Sequence, residues 1–303
     1  MKQPLVYIII LNWNGLNDTL ECLESLMLID YLNYRVIVVD NGSKNNEAGT
    51  IKKKFPQIGL IENKVNRGFV IANNQGIREA LKNNADYIFL LNNDTVVERD
   101  FLTKIVRYAE KNDKTGIIGP LIKYYRSDKI WFAGGKISVF TGLSILIGKN
   151  QDIGDFSMKK PYNADYIAGC ALLIKREVIE RIGLLDPIYF AYYEEADWCF
   201  RAKRAGYEIV LFPTSIIEHK KSASIGIRGS NKLTSFQAYL LARNVIIFGR
   251  KNLAGIEKVT FLCGQFTFKL FFSLINCQNV NAVKQYFKGL YDGILCKFSN
   301  IKK

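Results

Sequence analysis

Histidine is almost absent from this chain: His219 is the single one among 303 residues. Chemistry built on several imidazoles is therefore excluded. Cysteine occurs six times, as Cys22, Cys170, Cys199, Cys263, Cys277 and Cys296, but never as a C-x-x-C pair. That spacing argues against a zinc site or a disulfide framework, and reduced thiols in a cytosolic protein are the simplest account. No uncharged apolar run reaches the roughly 18 residues that a membrane-spanning helix needs. Met1 to Pro4 runs straight into strand-like Leu5 to Leu11 with no signal-peptide pattern. No G-x-G-x-x-G follows the first strand and no G-x-x-x-x-G-K-[ST] occurs, which removes the dinucleotide fingerprint and the phosphate-loop NTPases. Acids are scarce at one end. From Lys220 to Lys303 there are 14 lysines and arginines against Glu257 and Asp292, a net of +12 within a total of +14. The basic character thus belongs to the C-terminal third, and it suits an anionic surface such as membrane phospholipid, a lipid diphosphate or nucleic acid. No nucleic-acid-binding motif accompanies it.

What is present is core. With 49% hydrophobic residues the chain can bury a sizeable interior, and no long disordered stretch is expected. Leu5 to Leu11, Tyr34 to Val39, Ile58 to Glu62 and Ile88 to Leu91 read as strands, and helical patterns separate them. Alternation of this kind over about 90 residues predicts a mostly parallel sheet with right-handed crossovers, and such sheets bind ligands beyond the carboxyl ends of their strands. Each predicted strand ends in polar residues: Asn12, Asp40, Asn66, and Asn92-Asn93-Asp94-Thr95. The last of these reads either as an Asx-type turn or as a metal or phosphate corner. Four polar strand ends in succession favour a nucleotide site.

Farther along, Asp100 to Lys111 is a predicted amphipathic helix and Gly116 to Pro120 a strand edge. Residues 121 to 163 read as hairpins or loops, and Asp165 to Ile174 as a strand with a glycine break. Glu194-Glu195-Ala196-Asp197 opens a helix that runs to Ala205, and Tyr207 to Phe212 is a further strand. Acids in a first helical turn are favoured by the macrodipole alone. From Thr234 the pattern is helical. Gly255 to Asn276 is apolar nearly all round, which fits a helix lying in a membrane interface or one packed on protein in a dimer.

Several segments, in order, resemble family 2 glycosyltransferases, and in particular the rhamnosyltransferase-like branch that builds bacterial surface polysaccharides. They are Ile10 to Gly15, Val38 to Ser43, Asn66 to Phe69 with Asn74 to Gly76, Leu91 to Thr95, Gly169 to Ile174, Tyr193 to Asp197 and His219 to Ser224. The resemblance implies an α/β fold of the glycosyltransferase A type: a mostly parallel mixed sheet flanked by helices, with a helical C-terminal extension. The expected division is 1–232 for the catalytic domain and 233–303 for a basic, aromatic-rich extension.

It also implies roles. Asp40 would accept the imide N–H of uracil or thymine. Asn12, Trp13, Asn14 and Asn41 would line the donor nucleotide, with Arg67 and Gly68 beside the diphosphate; a solvated surface position is the other reading of Arg67. Asn92-Asn93-Asp94 falls where the family has D-x-D, so Asp94 would ligate Mg²⁺ or Mn²⁺, joined by His219. Asn92 departs from the pattern by one charge. Glu195 stands where the family has its general base for an inverting single displacement. Gly169, Glu194, Asp197 and Trp198 would support the acceptor, although Asp197 is equally placed to hold Arg201. The implied donor is a UDP- or dTDP-sugar, and the implied acceptor is a glycan on a polyprenyl diphosphate. The expected place is the cytoplasm, peripheral on the inner membrane face, with an anionic membrane surface or a homodimer as partner of the extension and no nucleic acid. A sugar-1-phosphate nucleotidyltransferase and a non-catalytic membrane or nucleic-acid scaffold are the alternatives.

Overall fold

A run of apolar, largely β-branched residues has to be covered on both faces, and Val6–Asn12 (β1) lies inside the sheet accordingly, with a strand on either side. The computed structural model describes residues 3–138, 144–220 and 232–297. By internal packing it divides into two units. One comprises Met1–Lys136, Leu146–Phe190 and Glu194–Ser224; the other comprises Ile137–Ile145, Ala191–Tyr193 and Ile225–Lys303.

The strands of the chain are β1, Tyr34–Asp40 (β2), Gly59–Glu62 (β3), Tyr87–Asn92 (β4), Thr95–Val97 (β5), Thr115–Tyr124 (β6), Ile130–Phe132 (β7), Gly135–Ile137 (β8), Ser144–Leu146 (β9), Tyr162–Asn163 (β10), Ala171–Lys175 (β11) and Glu208–His219 (β12). The helices that flank the sheet in the first unit are Leu16–Leu26 (α1), Glu47–Lys54 (α2), Phe69–Lys82 (α3), Phe101–Lys111 (α4), Arg176–Ile182 (α5) and Glu194–Arg204 (α6). The large sheet runs β10-β12-β6-β11-β4-β1-β2-β3, with β5 on β12 and β7 on β6. The half made of β4, β1, β2 and β3 is parallel. Asn12 stands in register with Asp40, and Leu11 with Asn92, so three polar strand ends fall along one edge. The other half is mixed, because β11 runs antiparallel between β4 and β6.

Two expectations are corrected here. Gly116 to Pro120 is not a strand edge: it belongs to the ten-residue β6, which is inside the sheet between β12 and β11. The strand expected over Tyr207 to Phe212 continues to His219. Pro213 masks this continuation in the sequence, since proline cannot donate to a ladder. The structure skips it with a register shift between Phe212 and Ile216, after which β12 pairs β6 again.

Gly68, the residue before α3, has φ +84°, and a Cβ there would lie 2.5 Å from the Phe190 ring. Positive φ and a close approach both demand glycine. Replacing Gly68 by alanine should lower the unfolding free energy by about 1–3 kcal/mol. A urea midpoint unchanged from the parent would show that the loop relaxes at no cost.

The second unit is helical: Ser235–Asn252 (α7), Gly255–Gly264 (α8), a π-helical turn at Gln265–Lys269, Leu270–Ile275 (α9) and Val280–Leu295 (α10). Thr234 and Gln237 form a capping box at the start of α7. The apolar stretch Gly255 to Asn276 is helical from Gly255 to Ile275, with the π-helical turn inside the run. α10 lies close against α7 because Gly289 and Gly293 face it, and a Cβ would come within 2.3 Å of the Tyr239 carbonyl or 2.7 Å of the Arg243 carbonyl. In the same unit Tyr192 and Tyr193 adopt left-handed φ of 69° and 70°. Asn244 Nδ2 steadies that turn by donating to the carbonyls of Ala191 at 2.7 Å and Tyr192 at 2.9 Å. Such backbone costs of order 1–3 kcal/mol and persists only where its surroundings hold it.

Candidate active site

Asn12, at the tip of β1, is fully buried and acts as a hub. Its Nδ2 lies within hydrogen-bonding distance of Asp40 Oδ1 (2.8 Å), Glu47 Oε2 (3.0 Å) and Ser43 Oγ (3.1 Å), while its Oδ1 accepts from Thr19 Oγ1 at 2.7 Å. Asp40 is 4% exposed, and its second oxygen accepts the Ser43 N–H at 3.0 Å. Asn41 is also buried: its Oδ1 accepts the Arg67 N–H at 3.0 Å and its Nδ2 donates to Asn66 Oδ1 at 2.9 Å. Asn12 and Asn41 therefore brace the strand tips and the 66–68 loop. Trp13, Asn14 and Arg67 are the exposed members of this group. A concavity of about 450 Å³ adjoins it, lined by Asp40, Gly42, Ser43, Glu47, Glu62 and Lys64 among others. A larger one of about 860 Å³ lies among Leu5, Asp86, Tyr87 and Arg176, at the amino ends of β1 and β4. It is remote from every strand tip described above, whereas open α/β sheets bind ligands at the carboxyl edge.

The second corner is Asn92-Asn93-Asp94. Asn93 Nδ2 donates to Thr19 Oγ1 at 2.9 Å, which ties this loop to α1. Asp94 is 5% exposed and its Oδ1 lies 3.1 Å from His219 Nε2. The main chain sets this meeting, because Thr95 of β5 pairs with His219 at the end of β12. Trp131 packs edgewise on the imidazole, with ring centroids 4.7 Å apart. His219 Nδ1 is buried without a hydrogen-bond partner. A carboxylate and an imidazole side by side suit Mn²⁺ better than Mg²⁺. Among the described residues no group of three or more His, Cys, Asp or Glu side chains forms a metal cage. The pair therefore fits a cation that takes its remaining ligands from substrate and water. The Ser222 and Ser224 that follow His219 in sequence lie outside the described residues.

The third corner is the start of α6. Glu194 is 5% exposed, and Oε2 of both Glu194 and Glu195 is buried without a hydrogen-bond partner. Burial raises both carboxyl pKa values above the usual carboxylate range, and the neighbouring Glu195 pushes Glu194 up further still. Two adjacent buried carboxyls do not both ionise readily, so the pair holds a proton to higher pH than a solvated carboxylate would. Gly169 comes up against this pair: a Cβ there would sit 3.5 Å from Glu195 Cβ. Asp197 and Trp198 face inward instead. Asp197 binds Arg201 Nε at 2.8 Å, and Trp198 Nε1 donates to the Gly183 carbonyl at 2.9 Å. Both are fully buried, so they hold α6 in place from within the core.

The chain matches the model of glycosyl transferase family 2 over residues 7–183. It belongs to that family. A dTDP-rhamnosyl transferase of Shigella flexneri, RfbF, is 26% identical over 267 residues, covering 84% of this chain and 85% of that protein. The N-acetylglucosaminyl-diphospho-decaprenol L-rhamnosyltransferase of Mycobacterium tuberculosis is 24% identical, covering 67% of this chain and 72% of its own length. An uncharacterised Sinorhizobium fredii protein, y4gI, is 30% identical over 236 residues, and the match spans 25% of its length. Among solved structures, the mannosyltransferase PcManGT of Pyrobaculum calidifontis, in complex with GDP-Man and Mn²⁺, aligns with a TM-score of 0.59 at 16% identity, over 99% of this chain and 77% of that one. The fold is the glycosyltransferase A type.

Reading the sequence of this glycosyltransferase missed a second tier of residues. Glu47 accepts the Gly15 N–H at 3.1 Å as well as the Asn12 amide. Thr19 joins the Asn12 and Asn93 corners. Lys220 forms an ion pair with Asp18 at 2.7 Å and with Glu21, and its N–H donates to the Asp94 carbonyl at 2.9 Å. Tyr125 donates to Glu21 at 2.6 Å. Thr19, Asp18 and Glu21 share α1, and no periodicity in the sequence marks Thr19, seven residues past the strand tip, as the partner of Asn12.

Proposed function

We propose that the chain is an inverting, metal-dependent transferase that moves a sugar, rhamnose or another hexose, from a UDP- or dTDP-sugar to a glycan carried on a polyprenyl diphosphate, in bacterial surface polysaccharide synthesis. The observation that carries this reading is the Asp94–His219 contact of 3.1 Å at the carboxyl edge of the sheet. The names of the Shigella and Mycobacterium relatives support the donor class and the lipid-linked acceptor.

In this reading Asp40 receives the base imide, and Trp13 and Asn14 flank the nucleotide, with Asn12 and Asn41 behind them as braces. Arg67 and Gly68 border the diphosphate, and Asn92 and Asn93 the ribose side. Asp94 and His219 would hold a divalent cation, which when bound offsets the charge growing on the leaving diphosphate. Glu195 takes the proton from the acceptor hydroxyl. The oxygen forms its bond to the anomeric carbon as the nucleoside diphosphate departs with the electrons of the bond that breaks. Residues 1–232 form the catalytic part. Residues 233–303 serve as its contact with the anionic inner face of the membrane; no helix among the described residues is long and apolar enough to cross one.

The test is thermal unfolding with UDP, dTDP, GDP and their sugars, with and without Mn²⁺. Stabilisation by a uridine or thymidine nucleotide, increased by Mn²⁺, is expected, at about 2.7 kcal/mol when ligand reaches 100 times its Kd. Asp94→Asn should remove most of the Mn²⁺ increment. Absence of any nucleotide effect would overturn the proposal.

A further inference from the structure

Helix α10 has two faces of different character. The inner one, Ala282, Tyr286, Gly289, Leu290 and Gly293, is buried. The outer one carries Val280, Phe287, Tyr291, Ile294 and Leu295, exposed by 72, 47, 63, 47 and 57%. Their positions, with Lys284 completing the series, follow an i, i+4, i+7, i+11, i+14, i+15 spacing, which is one side of a helix. In a water-soluble helix that side would be polar. α8 repeats the pattern in the same unit, with Ile256 and Val259 exposed by 69 and 55%, and Phe266 of the π turn follows at 42%.

Charge identifies the occupant. Exposed Lys284 and Lys288 stand on α10 beside the aromatic pair, and Lys297 follows its end. The chain has only two acids after Lys220, and Asp292 is engaged by the Tyr239 hydroxyl at 2.9 Å. Lysines reach past apolar neighbours to a charged layer, and tyrosine favours the boundary between hydrocarbon and water. A sixteen-residue helix is too short to span a bilayer but suits one lying along it. The rim is basic on balance, with Glu257 as the acid of α8 and Lys284, Lys288 and Lys297 exposed on and after α10, and this excess of cations favours an anionic surface over a protein partner with a mixed polar rim.

We propose that the outer face of α10, extended by the exposed apolar residues of α8, is a docking surface for an anionic lipid bilayer, with Phe287, Tyr291 and Ile294 entering the acyl boundary and Lys284 and Lys288 meeting the headgroups. The proposal deepens the lipid-linked acceptor reading by assigning the membrane contact to particular side chains.

The experiment is co-sedimentation of the full chain with phosphatidylcholine vesicles, with and without phosphatidylglycerol, in the absence of any sugar substrate. Binding should be at least about tenfold stronger with the anionic lipid and should weaken in high salt. Phe287→Asp with Tyr291→Asp should reduce it at least about tenfold, while Phe287→Leu with Tyr291→Trp preserves it. Because these side chains point outward, the Asp variant should keep the parent melting temperature and its nucleotide-induced shift. Equal binding to neutral and anionic vesicles, undiminished binding by the Asp variant, or a dimer in solution that the Asp substitutions dissociate without any lipid binding would each overturn the proposal. The nucleotide shift is read separately, so loss of the membrane surface and loss of the transferase reading give different results.

Discussion

Glu195→Gln should lower sugar transfer by about 10²–10⁴-fold, the range that a general base contributes, while the nucleotide-induced rise in melting temperature persists. The amide matches the carboxylate in shape and cannot take a proton. Nothing in the Asp94–His219 corner depends on Glu195, so donor binding has no reason to change. The pH profile carries the second half of the prediction. Burial holds the Glu195 carboxyl above the usual carboxylate range, so the base fills with protons as pH falls and transfer rises with pH through that raised value. The glutamine variant should show no such rise. For stability the sign is opposite. A buried carboxyl with a raised pKa stabilises the fold most fully at pH below its unfolded value, and this contribution is lost as pH climbs through the folded one. Glu194 adds to it in the same direction. The enzyme is thus expected to lose some stability over the pH range in which it gains activity. Full transfer by the glutamine variant would remove Glu195 from the chemistry.

Asp197→Ala should destabilise the protein by about 3–5 kcal/mol, with equilibrium unfolding in urea as the measurement. The carboxylate is fully buried, and its partner Arg201 has only 19% of its side chain exposed. Arg201 is committed elsewhere too: it donates to the carbonyls of Ile182 at 2.5 Å and Leu184 at 2.9 Å. Removing Asp197 therefore strands a cation that cannot swing into water without breaking the end of α5 away from α6. Tyr189 would also lose the acceptor for its hydroxyl at 3.3 Å. The charge pattern Asp-x-x-x-Arg looks like a surface helix pair, for which about 0.3–0.5 kcal/mol is ordinary. Depth of burial decides between the two magnitudes. A loss under about 1 kcal/mol would show that water reaches the pair.

The parallel half of the sheet was legible because each strand there is a short apolar run that stops abruptly at a polar residue. The mixed half was less so. β11 is a five-residue strand following a glycine turn, and its direction depends on tertiary contacts that a periodicity does not encode. β12 was cut short in the reading by Pro213, although a bulge carries the strand past it. α10 falls within the helical pattern expected from Thr234 on, but its close approach to α7 is not visible in the sequence, because Gly289 and Gly293 look like helix breakers and serve as points of contact. In the site, the strand-tip amides were found but their duty was not. Asn12 and Asn41 look like ligand contacts from their position, whereas every polar atom of Asn12 is spent on its own neighbours. Trp198, which the family resemblance implies as acceptor support, is turned by the helix into the core. Sequence position identifies the edge of a sheet; rotation about a helix axis decides which residues look out from it.

The contact between Asp94 and His219 joins positions 125 residues apart, and the backbone ladder that makes it is the far end of β12. Order of synthesis follows from this. The tips of β1, β2 and β4 are all made within the first 92 residues and can pair as soon as they leave the ribosome. The His219 imidazole that meets Asp94 emerges more than a hundred residues later. Closing so long a loop is slow compared with local pairing. A nascent or truncated chain would therefore possess the paired tips of β1, β2 and β4 well before it possessed the Asp94–His219 contact, and the last strand laid into the sheet would complete that edge.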